Sequence, residues 1–283
     1  MAIPEVIRKL LENGVHFGHL SKHWNPKMKK FIFGKKKNIY IIDLEKTADK
    51  IEEAKDYLRE LAADGKKIMF VSTKKQLREL VREHAESVNM PYVVERWVGG
   101  FLTNYSTVRE RVRHYVELLE KKEKGDFDRM PGKEKVRLKR ELERMKKNYD
   151  GVTSLEDLPD CIYVVDPKKE WACIREATKL SIPLVALIDT DANPEVIDYP
   201  IPGNDDAIKS VRHITSCLTE AIGEGQEKGR SAAEESVSRE AAGEQKEEAQ
   251  AQPELVQTET KVNETAEAPQ DKTSPENSQQ KEE

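Results

Sequence analysis

The residues best suited to chemistry lie first in the stretch 13–42. These thirty residues contain no Asp or Glu, although the 283-residue chain carries 53 acidic side chains. They hold seven lysines (Lys22, Lys27, Lys29, Lys30, Lys35, Lys36 and Lys37) and three histidines (His16, His19 and His23). Phe17, Trp24, Phe31, Phe33 and Tyr40 are interleaved. Lysine ammonium groups neutralise phosphates without reading base sequence, and aromatic rings stack on unpaired bases. The ordinary alternative is a solvated lysine-rich loop with its aromatics packed inside. The absence of acids in a chain rich in them favours contact with a phosphate backbone. Phe31 and Phe33 are expected in the core under either reading.

Two further segments stand out. Residues 96–105 read RWVGGFLTNY, and a glycine pair among aromatics allows close approach of the backbone to a partner. The same segment also reads as a plain turn, with Thr103 or Asn104 capping the next helix. After the apolar stretch PLVALID come DTDANP (189–194) and PGNDD (202–206). Loops at the carboxyl ends of parallel strands are where layered α/β folds bind ligands. Asp189, Asp191, Asp205 and Asp206, with His16 or His19, have the chemistry to hold a divalent ion. Turn and capping roles explain the same residues. No other cofactor and no small-molecule substrate is expected. The chain has no G-x-G-x-x-G after a strand, no G-x-x-x-x-G-K-[ST], no G-x-S-x-G and no H-E-x-x-H.

The elements that must position these residues follow from periodicity. Helices are expected at 4–12, 45–63, 74–88, 168–180 and 206–222. Strands are expected at 39–44, 67–72, 91–94, 161–166 and 183–189, with 199–201 as an edge strand because prolines flank it. Alternation of the two predicts parallel pairing in a layered α/β sheet. Between them, Val108, Val112, Tyr115 and Leu119 are spaced 4, 3, 4, as are Leu138, Leu142, Met145 and Tyr149. Two such stripes joined across GDFDRMPG predict an antiparallel helical hairpin that projects from the sheet. Its second arm, 133–147, carries eight basic and three acidic residues. That arm is either a solvated coiled-coil face or a second face for RNA.

The net charge of −5 argues against a polyanionic partner only when it is averaged over the chain. Residues 1–150 hold 35 basic and 24 acidic side chains, residues 152–225 hold 6 and 14, and residues 226–283 hold 7 and 15. A basic part, an acidic lobe and an acidic tail share one chain. The tail has no aromatic residue and is expected to be disordered, since it cannot bury enough apolar surface to offset its ordering entropy. The expected organisation is therefore 1–103 for the first part of the α/β domain, 104–150 for the hairpin, 151–225 for the second part and 226–283 for the tail. No apolar run approaches the roughly 20 residues of a membrane span, so no membrane partner is expected. Three widely spaced cysteines, Cys161, Cys173 and Cys217, suit a reducing cytoplasm and neither a disulfide framework nor a zinc knuckle.

Three blocks together resemble the bacterial small-ribosomal-subunit protein S-two family. They are LLENGVHFGHLSKHWNPKMKKFIFGKKKNIYIIDLEKT (10–47), RWVGGFLTN (96–104) and the stretch 158–210 from LPDCIYVVD to PGNDDAIKS. With the hairpin, the resemblance covers about residues 1–224. It implies a flavodoxin-like three-layer parallel sheet, a protruding coiled coil, and a non-catalytic architectural role in the small subunit. It implies binding of small-subunit rRNA and contact with the messenger-binding ribosomal protein S-one, in support of assembly and initiation. The RNA-facing positions it implies are His16, His19, Lys22, Trp24, Asn25, Lys27, Lys29, Lys30, Lys35, Lys36, Lys37, Arg96 and Asn104. The chain departs from the family pattern at DTDANP, and it has Trp171 where the family often has His. The acidic lobe, repelled by RNA, is expected to form a protein-partner face with the N-terminal histidines. Two other readings compete: a nucleotide- or sugar-phosphate-binding enzyme on the same sheet, and a protein-interaction module using the hairpin and acidic lobe.

Overall fold

The computed structural model describes residues 4–129 and 131–250, with side chains through residue 232 apart from Asp128. The chain divides into a compact unit, Met1–Glu234, and a remainder, Glu235–Glu283. Most of the expected tail, 251–283, lies outside the described residues.

The central sheet has five parallel strands: β4 (Ile68–Val71), β5 (Tyr92–Val93), β6 (Cys161–Val165), β7 (Leu184–Ile188) and β8 (Tyr199–Pro202). Their spatial order is β5-β4-β6-β7-β8. Counted within the sheet this is the flavodoxin-like order, which reverses direction between β4 and β6. β8 is an edge strand, as Pro200 and Pro202 require.

The apolar strands are buried on both faces and sort by residue parity. Met69, Val71, Ile162, Val164, Leu184, Ala186 and Ile188 belong to one core. Ile68, Phe70, Cys161, Tyr163, Val165, Val185, Leu187 and Ile201 belong to the other. Helices α1 (Glu5–Glu12), α2 (Leu44–Ala63), α3 (Arg78–Ser87) and α7 (Ile208–Gln250) supply the second core. Helix α6 (Trp171–Lys179) and the hairpin of α4 (Tyr105–Glu123) and α5 (Gly132–Tyr149) supply the first. The result is a three-layer α/β fold. The hairpin is fastened at its base by two phenol hydroxyls. Tyr115 donates to Asp150 Oδ1 at 2.7 Å and Tyr105 donates to the Leu155 carbonyl at 2.8 Å.

Three expectations change. The strand expected at 39–44 does not join the main sheet. It is β3 (Ile39–Ile42), the middle of a separate antiparallel sheet between β1 (Phe17–Leu20) and β2 (Ile32–Lys36). The β2–β3 turn uses left-handed backbone at Lys37 and Asn38, with φ of 47° and 66°. Two such residues make the hairpin turn whose twist matches its strands. Asn there is common and Lys is not, so the turn left little trace in the sequence.

Phe33 is not in the core: it is 79% exposed, whereas Phe31 is 4% exposed. Phe33 lies on β2, an edge strand of the small sheet, where the pairing shifts register between Ile32 and Gly34. The last helix also runs past Ile222 to Gln250. Its continuation packs closely against α2. A Cβ on Gly225 would lie 2.3 Å from the Arg59 carbonyl oxygen, and one on Gly229 would lie 2.3 Å from that of Ala63. Glycine at these two positions lets the helix backbones approach.

Replacing Gly225 with Val should therefore force the helices apart and cost about 1–3 kcal/mol. Gly223 has open space around its Cβ position, and Gly223→Ala should be neutral or stabilising by up to about 1 kcal/mol. Urea denaturation of the two variants checks the contrast; equal effects would contradict the close crossing.

Candidate nucleic-acid interface

The acid-free block is built from β1, a 3-10 turn at Pro26–Phe31, and the β2–β3 hairpin. Met28 and Phe31 anchor the turn in the core, so Lys27, Lys29 and Lys30 between and beside them are turned outward and exposed. Lys35, Lys36 and Lys37 occupy the hairpin tip, and Lys22 is exposed before the 3-10 turn. Lys27 is ion-paired with Glu195. None of the other six lysines has a carboxylate partner among the described residues. Trp24 is half-buried, with its ring 4.9 Å from that of Tyr40.

Asn25 has a structural task. Its side chain accepts from the Lys27 N–H at 3.0 Å and its own N–H donates to the Thr190 carbonyl at 2.8 Å, tying the block to the loop after β7. His16 is half-buried beside Phe17, its Nδ1 has no hydrogen-bond partner among the described residues, and burial lowers its pKa. Gly18 makes the fit of β1 possible, since a Cβ there would lie 2.5 Å from Thr190 Cγ2.

Arg96 and Asn104 are exposed on the loop between β5 and α4, and no hydrogen bond or ion pair among the described residues joins them to the lysines. Asn104 stands at the first cap of α4, yet its side chain makes no cap bond and accepts instead from the Thr107 hydroxyl at 3.0 Å. Sequence reasoning missed what holds this loop. The Glu176 carboxylate of α6 accepts from Trp97 Nε1 and the backbone N–H groups of Gly100 and Leu102 at 2.9–3.1 Å, and from Thr103. Although burial alone would raise it, these donors hold the Glu176 carboxyl below its ordinary range.

The third expected segment forms a charge cluster at the carboxyl edge of the sheet. Lys74 follows β4, Asp166 follows β6, Asp189 follows β7 and Asp205 follows β8. The Lys74 ammonium lies 2.9 Å from Asp166, 2.7 Å from Asp205 and 2.9 Å from Asp206. His19 reaches in from β1, with Nδ1 at 3.0 Å from Asp189 and Nε2 at 3.5 Å from Asp206. Asp191 pairs with Lys168 at 2.8 Å. The structure thus gathers His19, Asp189, Asp205 and Asp206, as the sequence suggested, but around an ammonium group. Among the described residues, no three or more His, Cys, Asp or Glu side chains are arranged to hold a metal ion.

Burial and the neighbouring Asp166 push Asp205 up to about 8, against the pull of Lys74. Burial would lower Lys74, but the carboxylates outweigh it and keep the ammonium charged. His19, which the resemblance implies faces RNA, is 30% exposed and paired with Asp189 and Asp206 of the cluster. Lys74 went unnoticed in the sequence, although its place just past a strand end was the available signal.

The structure thus presents a flavodoxin-like sheet with an ion-pair cluster at its carboxyl edge and an exposed cationic block beside it. The comparisons name the class. The family model for ribosomal protein S2 matches residues 10–225. A small ribosomal subunit protein uS2 from Coprothermobacter proteolyticus is 51% identical over 221 residues, covering 78% of this chain and 82% of that protein. Those of Dictyoglomus thermophilum and Dictyoglomus turgidum are 49% and 48% identical over 222 residues, covering 78% of this chain and 90% of each relative. The chain belongs to the ribosomal protein S2 family of the small ribosomal subunit, a family of structural components and not of enzymes.

The His19 geometry sets a pH dependence. The Asp189 hydrogen bond, opposed by burial and aided by the charges of Asp189, Asp191 and Asp205, raises His19 from 6.5 to about 9. A raised folded-state pKa stabilises fully below the unfolded value, and the gain is lost as pH rises through the folded value. His19→Gln should therefore destabilise most at about pH 6, by on the order of 2 kcal/mol. The difference should shrink steadily to near zero at about pH 9.5. Urea denaturation across that range checks it; a constant gap would contradict the ion pair.

Proposed function

We propose that this chain is seated in the small subunit by phosphate-backbone contact between small-subunit rRNA and the acid-free block. The observation that carries the reading is the set of six exposed lysines without a carboxylate partner among the described residues. Unpaired ammonium groups crowded on one short hairpin and turn repel one another. A polyanion relieves that repulsion and releases its own counterions in doing so. Such contacts fix position and orientation without reading sequence, which suits an architectural component. Arg96 and Asn104, on the loop held by Glu176, and the exposed basic face of α5 extend the same contact. The acidic tail, repelled by the same polyanion, takes no part.

Changing Lys29, Lys35 and Lys36 to Glu should weaken binding to small-subunit rRNA at least about 10-fold near physiological salt. It should also lower the log–log salt slope by roughly 3, at about 0.9 per phosphate contact. Filter binding of the full chain across a salt series measures both, and an unchanged slope would remove the block from the RNA face.

The messenger-binding ribosomal protein S-one docks, in this reading, in a groove beside β1. The supporting observation is a groove of about 520 Å³ lined by Phe17, Ile208, Glu12 and Asp206 among others, with Phe17 48% and Ile208 47% exposed. The exposed apolar side chains of this groove suit a protein partner. Ile208→Glu should abolish capture of purified S-one by the full chain after nuclease treatment and leave rRNA binding intact. Capture that survives the substitution would place the partner elsewhere.

A further inference from the structure

Helix α6 belongs to the acidic lobe, yet its solvent face is cationic. Its acids are turned inward: Glu170 is 2% exposed and accepts from the Thr73 N–H and hydroxyl at 2.8 and 2.6 Å, and Glu176 is spent on the loop before α4. Trp171, Arg175 and Lys179 follow one another at intervals of four, which places them on one helix face. From first to last they span about 12 Å at roughly 1.5 Å per residue. All three are exposed, and Trp171 is 49% exposed. Lys169 is exposed just before the helix. No carboxylate among the described residues pairs with Lys169, Arg175 or Lys179.

The two ends of this stripe run into features already described. Trp171 lines a cleft of about 290 Å³ together with Asn25, Lys168, Asp191 and Asn193. Asn25 belongs to the acid-free block, and the Asp191 carboxylate in the cleft is neutralised by Lys168. At the other end, Arg175 and Lys179 line a hollow with Thr103 of the Glu176-held loop. The stripe therefore bridges the two segments that carry the proposed RNA contacts.

We infer that the outer face of α6 binds a single-stranded stretch of RNA, with Trp171 stacking on an unpaired base and Lys169, Arg175 and Lys179 taking the flanking phosphates. An exposed indole stacks on any base, whereas paired bases in an A-form duplex keep their faces covered. Guanidinium and ammonium groups on either side, with no free acid between them, match the backbone of the same strand. The inference rests on the proposed contact with rRNA and adds to it a second site, specific for unpaired nucleotides, on the lobe whose overall charge argues against one.

The test uses the full chain and two probes, a labelled oligouridylate and small-subunit rRNA. Trp171→Ala should weaken oligouridylate binding about 10-fold. Trp171→Phe should restore most of it, because a smaller ring still stacks. Arg175→Glu with Lys179→Glu should lower the oligouridylate salt slope by about 1.4, at roughly 0.7 per phosphate contact on a single strand. Unchanged circular dichroism and urea midpoints confirm that these exposed substitutions leave the fold intact. If Trp171→Ala binds oligouridylate like the parent while the Lys29, Lys35 and Lys36 variant loses rRNA, the rRNA reading stands and the α6 site falls. Release of another ribosomal protein from assembled subunits by Trp171→Ala, with oligouridylate binding unchanged, also overturns it in favour of a protein contact. Failure of the parent chain to bind either probe removes the rRNA reading itself.

Discussion

The arrangement turns on one ion-pair cluster, the Lys74 ammonium among Asp166, Asp205 and Asp206. Side chains from beyond the carboxyl ends of β4, β6 and β8 meet there, beside the place where the strand order reverses. In related sheets that crevice is open and takes a ligand. Here it holds one half-buried cation and several carboxylates, and the His19 imidazole lies beside them. The cost of burying these charges is met by pairing them, and removing one partner would leave the others uncompensated. His19 also fixes the small antiparallel sheet against the large one. The lysine-bearing hairpin is thus held in place through a cluster of opposite sign.

This explains how a chain of net negative charge can serve a polyanionic neighbour. Of the fourteen acids in residues 152–225, eight are exposed and six are half-buried or buried. Many are consumed internally: Glu170 on Thr73, Glu176 on the loop before α4, Asp189 on His19, Asp205 on Lys74 and Asp191 on Lys168. What they hold down is neutralised with them. The lysines of residues 22–37 lie in a stretch without acids and stay largely unmatched. Segment totals describe the charge of the chain, whereas pairing decides which charges remain to act on a partner.

The parallel sheet, the hairpin and the edge position of Tyr199–Pro202 were legible because each rests on local pattern. Apolar runs, a 4, 3, 4 stripe and flanking prolines say the same thing in any context. Phe33 was not legible. Its placement depends on which strand lies at the edge of a small sheet, and that sheet is closed by a Lys37–Asn38 turn with weak sequence signature. The continuation of α7 left little trace for a related reason: glycine has low helix propensity, yet Gly225 and Gly229 serve there to let two helices cross closely. Among the candidate site residues, the lysines are exposed as composition suggested. Asn25 and His19 have tasks inside the fold that only the partners Thr190 and Asp189 reveal.

The free edge of β2 has a consequence before any partner arrives. A strand with one unpaired side is a template for other strands, and β2 carries an exposed phenylalanine that would favour such pairing. Lys35 and Lys36 on the strand and Lys37 beyond it oppose this, because two copies brought edge to edge would set like charges against each other. At the far edge of the main sheet, Pro200 and Pro202 serve the same end by withholding backbone donors. The newly made chain therefore carries its own protection against self-association, and on the lysine edge it is the same charge that a nucleic-acid partner would later cover.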